Sequence, residues 1–369
     1  DGFNSYPDKD DIQDTSEFEG AETIEEAKKI NETAEVRNVG VTFETRPDIA
    51  EKKHIDRILK MGGTRVEMGV QTVFDETHEI TNRGHGMEPV IEATKRLKNA
   101  GFKVAYHLML GLPGEGYEED IEKFRKTFSD SDLQPDEVKI YPCEVIQGTE
   151  LYRQYEEGEF DPIDDEEAKE RLKEILKNEI PPHVRVKRVM RDIPSTEVDA
   201  GPQLTNMRQM ALQELHKEGK RCRCTRCREV GHMERTHDVT PDKENIELVE
   251  RSYEASGGQE YFISFEDTEE DILLGFVRLR TTSESHRDEI DEDTLLVRQL
   301  KVLGSAADIG GEGDIQHQGY GTRLMEKAEE KARELGKKKV TVISAVGTRE
   351  YYRKLDYELD GPYMSKRLE

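Results

Sequence analysis

Between residues 39 and 189 the chain alternates strand-type runs with helical stretches, and this pattern limits the fold more than any other feature. Residues 39–44, 65–71, 103–110, 137–145 and 184–189 read as strands. Helical patterns over 50–61, 88–100, 118–128 and 165–178 lie between them. A strand, a helix and a second strand of this length join as parallel neighbours with the helix on one face. Five such units predict an α/β fold containing a partial (β/α) barrel. In that architecture chemistry sits at the carboxyl ends of the strands. Those ends carry Glu44 and Arg46, Gln71, Gly111-Leu112-Pro113-Gly114, Tyr141-Pro142 and Arg191.

The pattern changes twice. Residues 1–38 are strongly acidic and poor in apolar side chains, and are expected to be partly disordered apart from a helix over 23–34. After residue 240 an α+β pattern runs to the end. Its strands are expected at 261–266, 272–280, 295–303, 339–344 and 357–364, and its helices at 320–335 and 349–354. The expected organisation is an acidic segment (1–38), a partial barrel (39–195), a basic linker (196–240) and a carboxyl-terminal domain (241–369).

The net charge is −26 at pH 7. Such acidity disfavours a general nucleic-acid surface and suits a protein kept hydrated in high salt, so a halophilic host is expected. Against this background residues 181–228 hold eleven Lys and Arg and five Asp and Glu. That basic island has the charge expected of an RNA footprint; the plainer reading is a charged segment docked on acidic domain surfaces. No apolar run is long enough to span a membrane, and no signal peptide is recognisable, so a cytoplasmic protein is expected. Three of the four cysteines, Cys222, Cys224 and Cys227, fall within six positions. In a cytoplasmic chain this spacing reads as a zinc knuckle. His232 is the nearest candidate for a fourth ligand, followed by Cys143 and His216; Cys143 alone reads better as a small buried hydrophobe.

Gln316-His317-Gln318-Gly319-Tyr320-Gly321-Thr322 lies between a strand and a helix. Glycines there allow close backbone approach, and the helix start supplies unpaired N–H groups, which together can cradle a pyrophosphate. Gln-x-x-Gly-x-Gly resembles motif A of the GCN5-related N-acetyltransferases, which binds acetyl-CoA. With the stretches 342–354 and 361–364 it is similar to the Elongator catalytic-subunit family, whose members acetylate the tRNA wobble uridine. Residues 41–48, 65–71, 141–142, 145–149, 191–194 and 222–231 resemble the radical-SAM barrel and zinc region of that family, so the likeness covers essentially 20–369.

The resemblance implies acetyl-CoA, zinc, S-adenosylmethionine and a 4Fe-4S cluster as cofactors. It also implies carboxymethylation of C5 of the wobble uridine by radical chemistry on the acetyl methyl group. Gln299, Leu300, Lys301, Val302, Gln318, Gly319, Tyr320, Gly321 and Thr322 are then expected at acetyl-CoA. Tyr352 is expected near the thioester, where a phenol could protonate the leaving thiolate, with Tyr351 a second candidate or a rim aromatic. Glu44, Arg46, Glu67 and Gln71 would line the S-adenosylmethionine cavity. Arg185, Lys187, Arg188, Arg191, Arg208, Lys220, Arg221, Arg223 and Arg226 would meet the phosphates of the tRNA anticodon stem-loop. Two departures stand out. The family's cluster cysteines have no counterpart before residue 39, so an amino-terminally incomplete chain is expected. Gln299 and Lys301 replace the family's usual Glu and His, which puts a general base there in doubt. A protein lysine acetyltransferase and a non-catalytic tRNA-binding scaffold are the alternative readings.

Overall fold

The computed structural model describes residues 20–190, 197–282, 284–304 and 319–369. Parallel strands β1 (Thr42–Thr45), β2 (Arg65–Gln71), β3 (Lys103–Leu110), β4 (Glu137–Pro142) and β5 (Arg185–Val189) form one sheet in the order 1-2-3-4-5. That order never reverses, as in a segment of a (β/α) barrel; a doubly wound sheet would turn back at a switch point. The helices are α1 (Ile24–Asn31), α2 (Lys52–Lys60), α3 (Asp75–Ile80), α4 (Met87–Asn99), α5 (Tyr117–Ser129), α6 (Glu150–Glu156) and α7 (Asp165–Glu174). Sequence dictates their limits locally. Asp164 accepts the Glu167 N–H at 2.9 Å while the Glu167 carboxylate accepts the Asp164 N–H at 3.0 Å, a capping box that starts α7.

Residues 197–240, within the expected zinc-binding linker, are largely helical and packed. They contain α8 (Met207–Lys217), α9 (Thr225–Arg228) and α10 (Val230–His237). Met207, Ala211 and Leu215 recur every four residues, one face of a helix, and are fully buried in the barrel core with Cys222 and Cys224. Residues 20–38 are likewise ordered: Glu32 at the end of α1 pairs with Arg349 at 2.8 Å and Arg353 at 2.6 Å.

The second sheet comprises β6 (Ile246–Ala255), β7 (Gly258–Asp267), β8 (Ile272–Thr281), β9 (Thr294–Val302), β10 (Lys339–Val342), β11 (Glu358–Asp360) and β12 (Tyr363–Arg367), in the order 11-12-10-9-8-7-6. Helices α11 (Tyr320–Glu334) and α12 (Arg349–Arg353) belong to it. The single strand expected at 357–364 is two, because Gly361 at φ 58° turns the chain back on itself.

The two sheets meet through a charged core. Arg278 pairs with Gln299 and Leu279 with Val297, so Arg298 is the extra residue of a bulge in β9. Arg298 is fully buried and donates to both oxygens of Asp136 on the barrel, at 2.6 and 2.7 Å, and to Glu260 at 3.1 Å. Arg280 joins Glu260 at 3.1 Å and the Asn99 amide oxygen at 2.6 Å.

Candidate functional site

Parallel strands covered on both faces normally read as continuous apolar runs. Here one face does not. Glu44 on β1, Glu67 on β2, His107 on β3, Lys139 on β4 and Lys187 on β5 each bring a polar side chain to it. Glu67 is the hub and is 2% exposed. It accepts from Lys139 at 2.6 Å and also from Lys187, and its carboxylate lies 3.0 Å from His107 Nε2. Lys139 also reaches Glu44 at 2.8 Å. Burial pushes the Glu67 carboxyl up, but the hydrogen bonds from His107, Lys139 and Lys187 outweigh it and hold the group well below the usual carboxylate range. Glu67→Gln leaves three donors without their shared anion. The expected cost is about 2 kcal/mol, low for a buried pair because Lys139 and Lys187 are partly exposed and keep second partners. Urea unfolding reads it, and a further Lys187→Met change should recover part of the loss.

At the carboxyl end of β2–β4 lies a cavity of about 590 Å³. Gln71, Met109, Leu112, Pro113 and Cys143 line it. Gln71 ends β2 in the left-handed region, φ 70°, where the register slips between Met68 and Gln71.

The acetyltransferase-like half contains a wedge. β9 and β10 pair in parallel only from Thr294 with Lys339 to Val297 with Val342. β10 then ends, while β9 continues through Gln299, Leu300, Lys301 and Val302. Gly319, at φ 71°, caps α11. A Cβ on Gly321 would lie 2.8 Å from the Tyr351 hydroxyl, so glycine there lets that phenol approach the helix start. Gly321→Ala is therefore expected to push the Tyr351 ring away from the helix start, read as a shift of its ring resonances by NMR, with little change in Tm.

The third constellation is the thiol group. The sulfurs of Cys222, Cys224 and Cys227 are mutually within 4.8 Å and all three residues are buried. The Arg208 guanidinium lies 3.7 Å from the Cys224 sulfur and 3.5 Å from that of Cys227. Among the described residues no fourth ligand atom joins the three. His232 instead has its Nδ1 at 3.4 Å from Thr236 Oγ1 and its ring 6.4 Å from that of His237, which also neighbours His216; Cys143 lines the cavity at the barrel end.

The comparison that decides the family is structural. A solved structure of the archaeal Elp3 of Methanocaldococcus infernus, with an amino-terminal deletion, superposes with a TM-score of 0.90 at 48% identity, over 94% of this chain and 82% of that one. The chain belongs to the Elp3 family. Its sequence matches the Radical SAM superfamily over residues 14–127, the Radical_SAM C-terminal domain over 135–217 and the Acetyltransferase (GNAT) family over 227–357. Among curated relatives, tRNA uridine(34) acetyltransferase of Methanocaldococcus infernus is 49% identical over 94% of this chain and 66% of its own length. Elongator complex protein 3 of Homo sapiens is 44% identical over 94% of this chain and 63% of its own length. The chain thus spans just under two thirds of the length of these relatives.

Within this Elp3-family fold the expected site residues separate. Glu44 and Glu67 join the polar face, and Gln71 lines the cavity. Arg46 pairs with Asp48 at 2.9 Å and donates to the carbonyl of Arg83, a cavity-lining residue, at 3.3 Å. Tyr352 is 6% exposed and its ring packs in the core against Tyr351 and Tyr357, whereas Tyr351 stands half-buried beside Gly321. Arg191 and Gln318 lie outside the described residues.

Much of the basic island is already paired within the fold. Arg185 pairs with Glu229 at 2.9 Å, Lys187 with Glu67, and Arg208 donates to the Val186 carbonyl at 2.8 Å. Arg223 holds Asp271 through two bonds of 3.0 Å, Arg221 donates to the Glu270 carbonyl at 2.8 Å, and Arg226 to the Lys187 carbonyl. Arg188 lies on β5, and Lys220 is exposed. The plainer reading, a charged segment docked on acidic surfaces, accounts for these pairs. Sequence reading missed His107 and Lys139. Their signal was polar residues at alternate positions of otherwise apolar strands, Lys103 with His107 and Glu137 with Lys139.

Proposed function

We propose that this chain is the greater part of an enzyme that modifies the wobble uridine of tRNA with an acyl group from acetyl-CoA. The observation that carries this is the bond from Arg298 to Asp136. It fixes the strand that would hold acetyl-CoA against the polar barrel face that would meet the nucleoside. In this reading the N–H groups of Gly319, Tyr320, Gly321 and Thr322 hold the pyrophosphate at the start of α11. The open edge of β9 from Gln299 to Val302 pairs with the pantetheine arm. Tyr351, whose hydroxyl lies beside Gly321, is the better-placed phenol for the acyl end, with Tyr352 supporting it from the core.

S-adenosylmethionine would occupy the cavity at the barrel end. The Radical SAM family implies a 4Fe-4S cluster beside it, and the pair supplies carbon-radical chemistry when bound. Three of the four cysteines stand together near Arg208, so no residue of this chain is assigned to that cluster. Cys222, Cys224 and Cys227 suit zinc, with a fourth ligand outside the group. The exposed Lys220, Arg221, Arg223 and Arg226 would meet RNA phosphates.

Acetyl-CoA hydrolysis by this chain tests the reading, measured alone, with tRNA and with a lysine-rich peptide. CoA release that rises with tRNA supports it. Release only with the peptide would instead assign a lysine acetyltransferase, and none with either would leave a tRNA-binding scaffold. The acidic surface suits a cytoplasm rich in salt, and Tm should rise between low and molar KCl as surface repulsion is screened. No helix among the described residues is long and apolar enough to cross a membrane.

A further inference from the structure

Between the two sheets lies a separate cavity of about 250 Å³. Arg185 and Thr225 line it from the barrel side beside the ion-paired Asp136 and Glu137 carboxylates, and Phe276, Arg278, Gln299 and Lys301 from β8 and β9. Most of its charges are already balanced. Arg185 pairs with Glu229 at 2.9 Å, and Arg278 lies 3.3 Å from Asp136. Lys301 is the exception: no ion pair of its amine occurs among the described residues. Burial and the nearby Arg185 push this amine below its usual range, against the opposing pull of the Glu229 and Glu137 carboxylates.

Two further groups wait for an acceptor. Thr225 is 1% exposed and Arg278 is 1% exposed, yet Thr225 Oγ1 and Arg278 Nε have no hydrogen-bond partner among the described residues. Buried donors without acceptors are costly and uncommon in a native fold. The cavity therefore offers a cation without an ion-pair partner among the described residues, two unused donors and, in Phe276, an apolar wall.

We propose that this inter-domain cavity binds a small monocarboxylate of the acetate class. Its single charge matches Lys301, its two oxygens can accept from Thr225 and Arg278, and its methyl group can rest on Phe276. A nucleotide would exceed the space, which equals roughly eight waters at about 30 Å³ each. Either free acetate or the carboxylate of a carboxymethylated base fits this chemistry. Only that choice of source rests on the proposed function; the site itself does not.

The test is titration of sodium acetate into the whole chain by calorimetry, with sodium chloride at equal ionic strength as control and acetyl-CoA binding measured in parallel. Saturable acetate binding with a Kd below about 10 mM is expected. Thr225→Val and Lys301→Met should each weaken it about tenfold, with circular dichroism confirming that both variants fold. Competition by 5-carboxymethyluracil would assign the base-linked acid, and acetate binding without such competition would assign the free acid. Absence of saturation, equal displacement by chloride, or full affinity in both variants overturns the proposal. If acetate fails while acetyl-CoA binds, the cavity assignment alone falls; the reverse result sinks the acetyl-CoA reading alone.

Discussion

Asp136→Asn is expected to lower the unfolding free energy by about 3–5 kcal/mol, the range for stripping one member from a buried ionic cluster. Asp136 is fully buried and accepts from Arg298 at 2.6 and 2.7 Å and from the Val104 N–H at 2.8 Å. Arg278 at 3.3 Å and Lys98 at 3.9 Å complete its surroundings. The cluster sets four cations, Lys98, Arg278, Arg280 and Arg298, against two carboxylates, Asp136 and Glu260. Removing an anion worsens that imbalance and removing a cation relieves it. Arg298→Met should therefore cost less than Asp136→Asn, although it deletes more hydrogen bonds. Equal or reversed losses in urea unfolding would show that hydrogen bonding, not charge balance, holds the domains together. The same site sets a pH response. Burial raises the Asp136 carboxyl, but Arg298, Lys98 and Arg278 outweigh it and hold the group below its usual range. A depressed carboxyl stabilises the fold fully above its unfolded pKa of about 3.9 and loses that contribution as pH falls below it. Acid unfolding of the wild type should steepen there, and Asp136→Asn should flatten it.

What the sequence disclosed follows from which forces act locally. The five βαβ units were legible because their apolar periods are set by neighbours in the chain. The Gly319–Gly321 turn was legible because only glycine tolerates its geometry and approach. The pairing within the basic island was not legible. Lys187, Arg185 and Arg223 look alike as sequence, but their acidic partners Glu67, Glu229 and Asp271 are fixed only by tertiary packing. Segment 196–240 has a linker's composition, yet the four-residue spacing of Met207, Ala211 and Leu215 marked a packing face that was passed over. Tyr351 and Tyr352 are adjacent, so only the direction of α12 decides which ring enters the core. The bulge that buries Arg298 has no local signal, because it depends on register against β8.

Cys224→Ser should have the other large effect, and it separates two accounts of the thiol group. If the three sulfurs hold zinc, the wild type carries about one zinc per chain by elemental analysis and the variant a small fraction of that. Stability should then fall by about 3 kcal/mol or more, because binding energy at a site absent from the unfolded chain is folding energy. The loss would reach the barrel. Thr225 N–H bonds the Val184 carbonyl at 2.9 Å beside β5, and Cys222 and Cys224 are fully buried in the barrel core. Chelation of the wild type should reproduce the variant's unfolding midpoint. If instead the cysteines are reduced and metal-free, no zinc is found and chelator changes nothing. Cys224→Ser then costs only the exchange of a buried thiol for a hydroxyl, about 1–2 kcal/mol. Arg208 sharpens the distinction. Its guanidinium faces the sulfurs of Cys224 and Cys227, which it can stabilise only as thiolates. Arg208→Met should thus weaken zinc retention against a competing chelator in the first account. In the second it should leave thiol reactivity toward a bulky disulfide reagent unchanged, because buried neutral thiols react only when the fold opens.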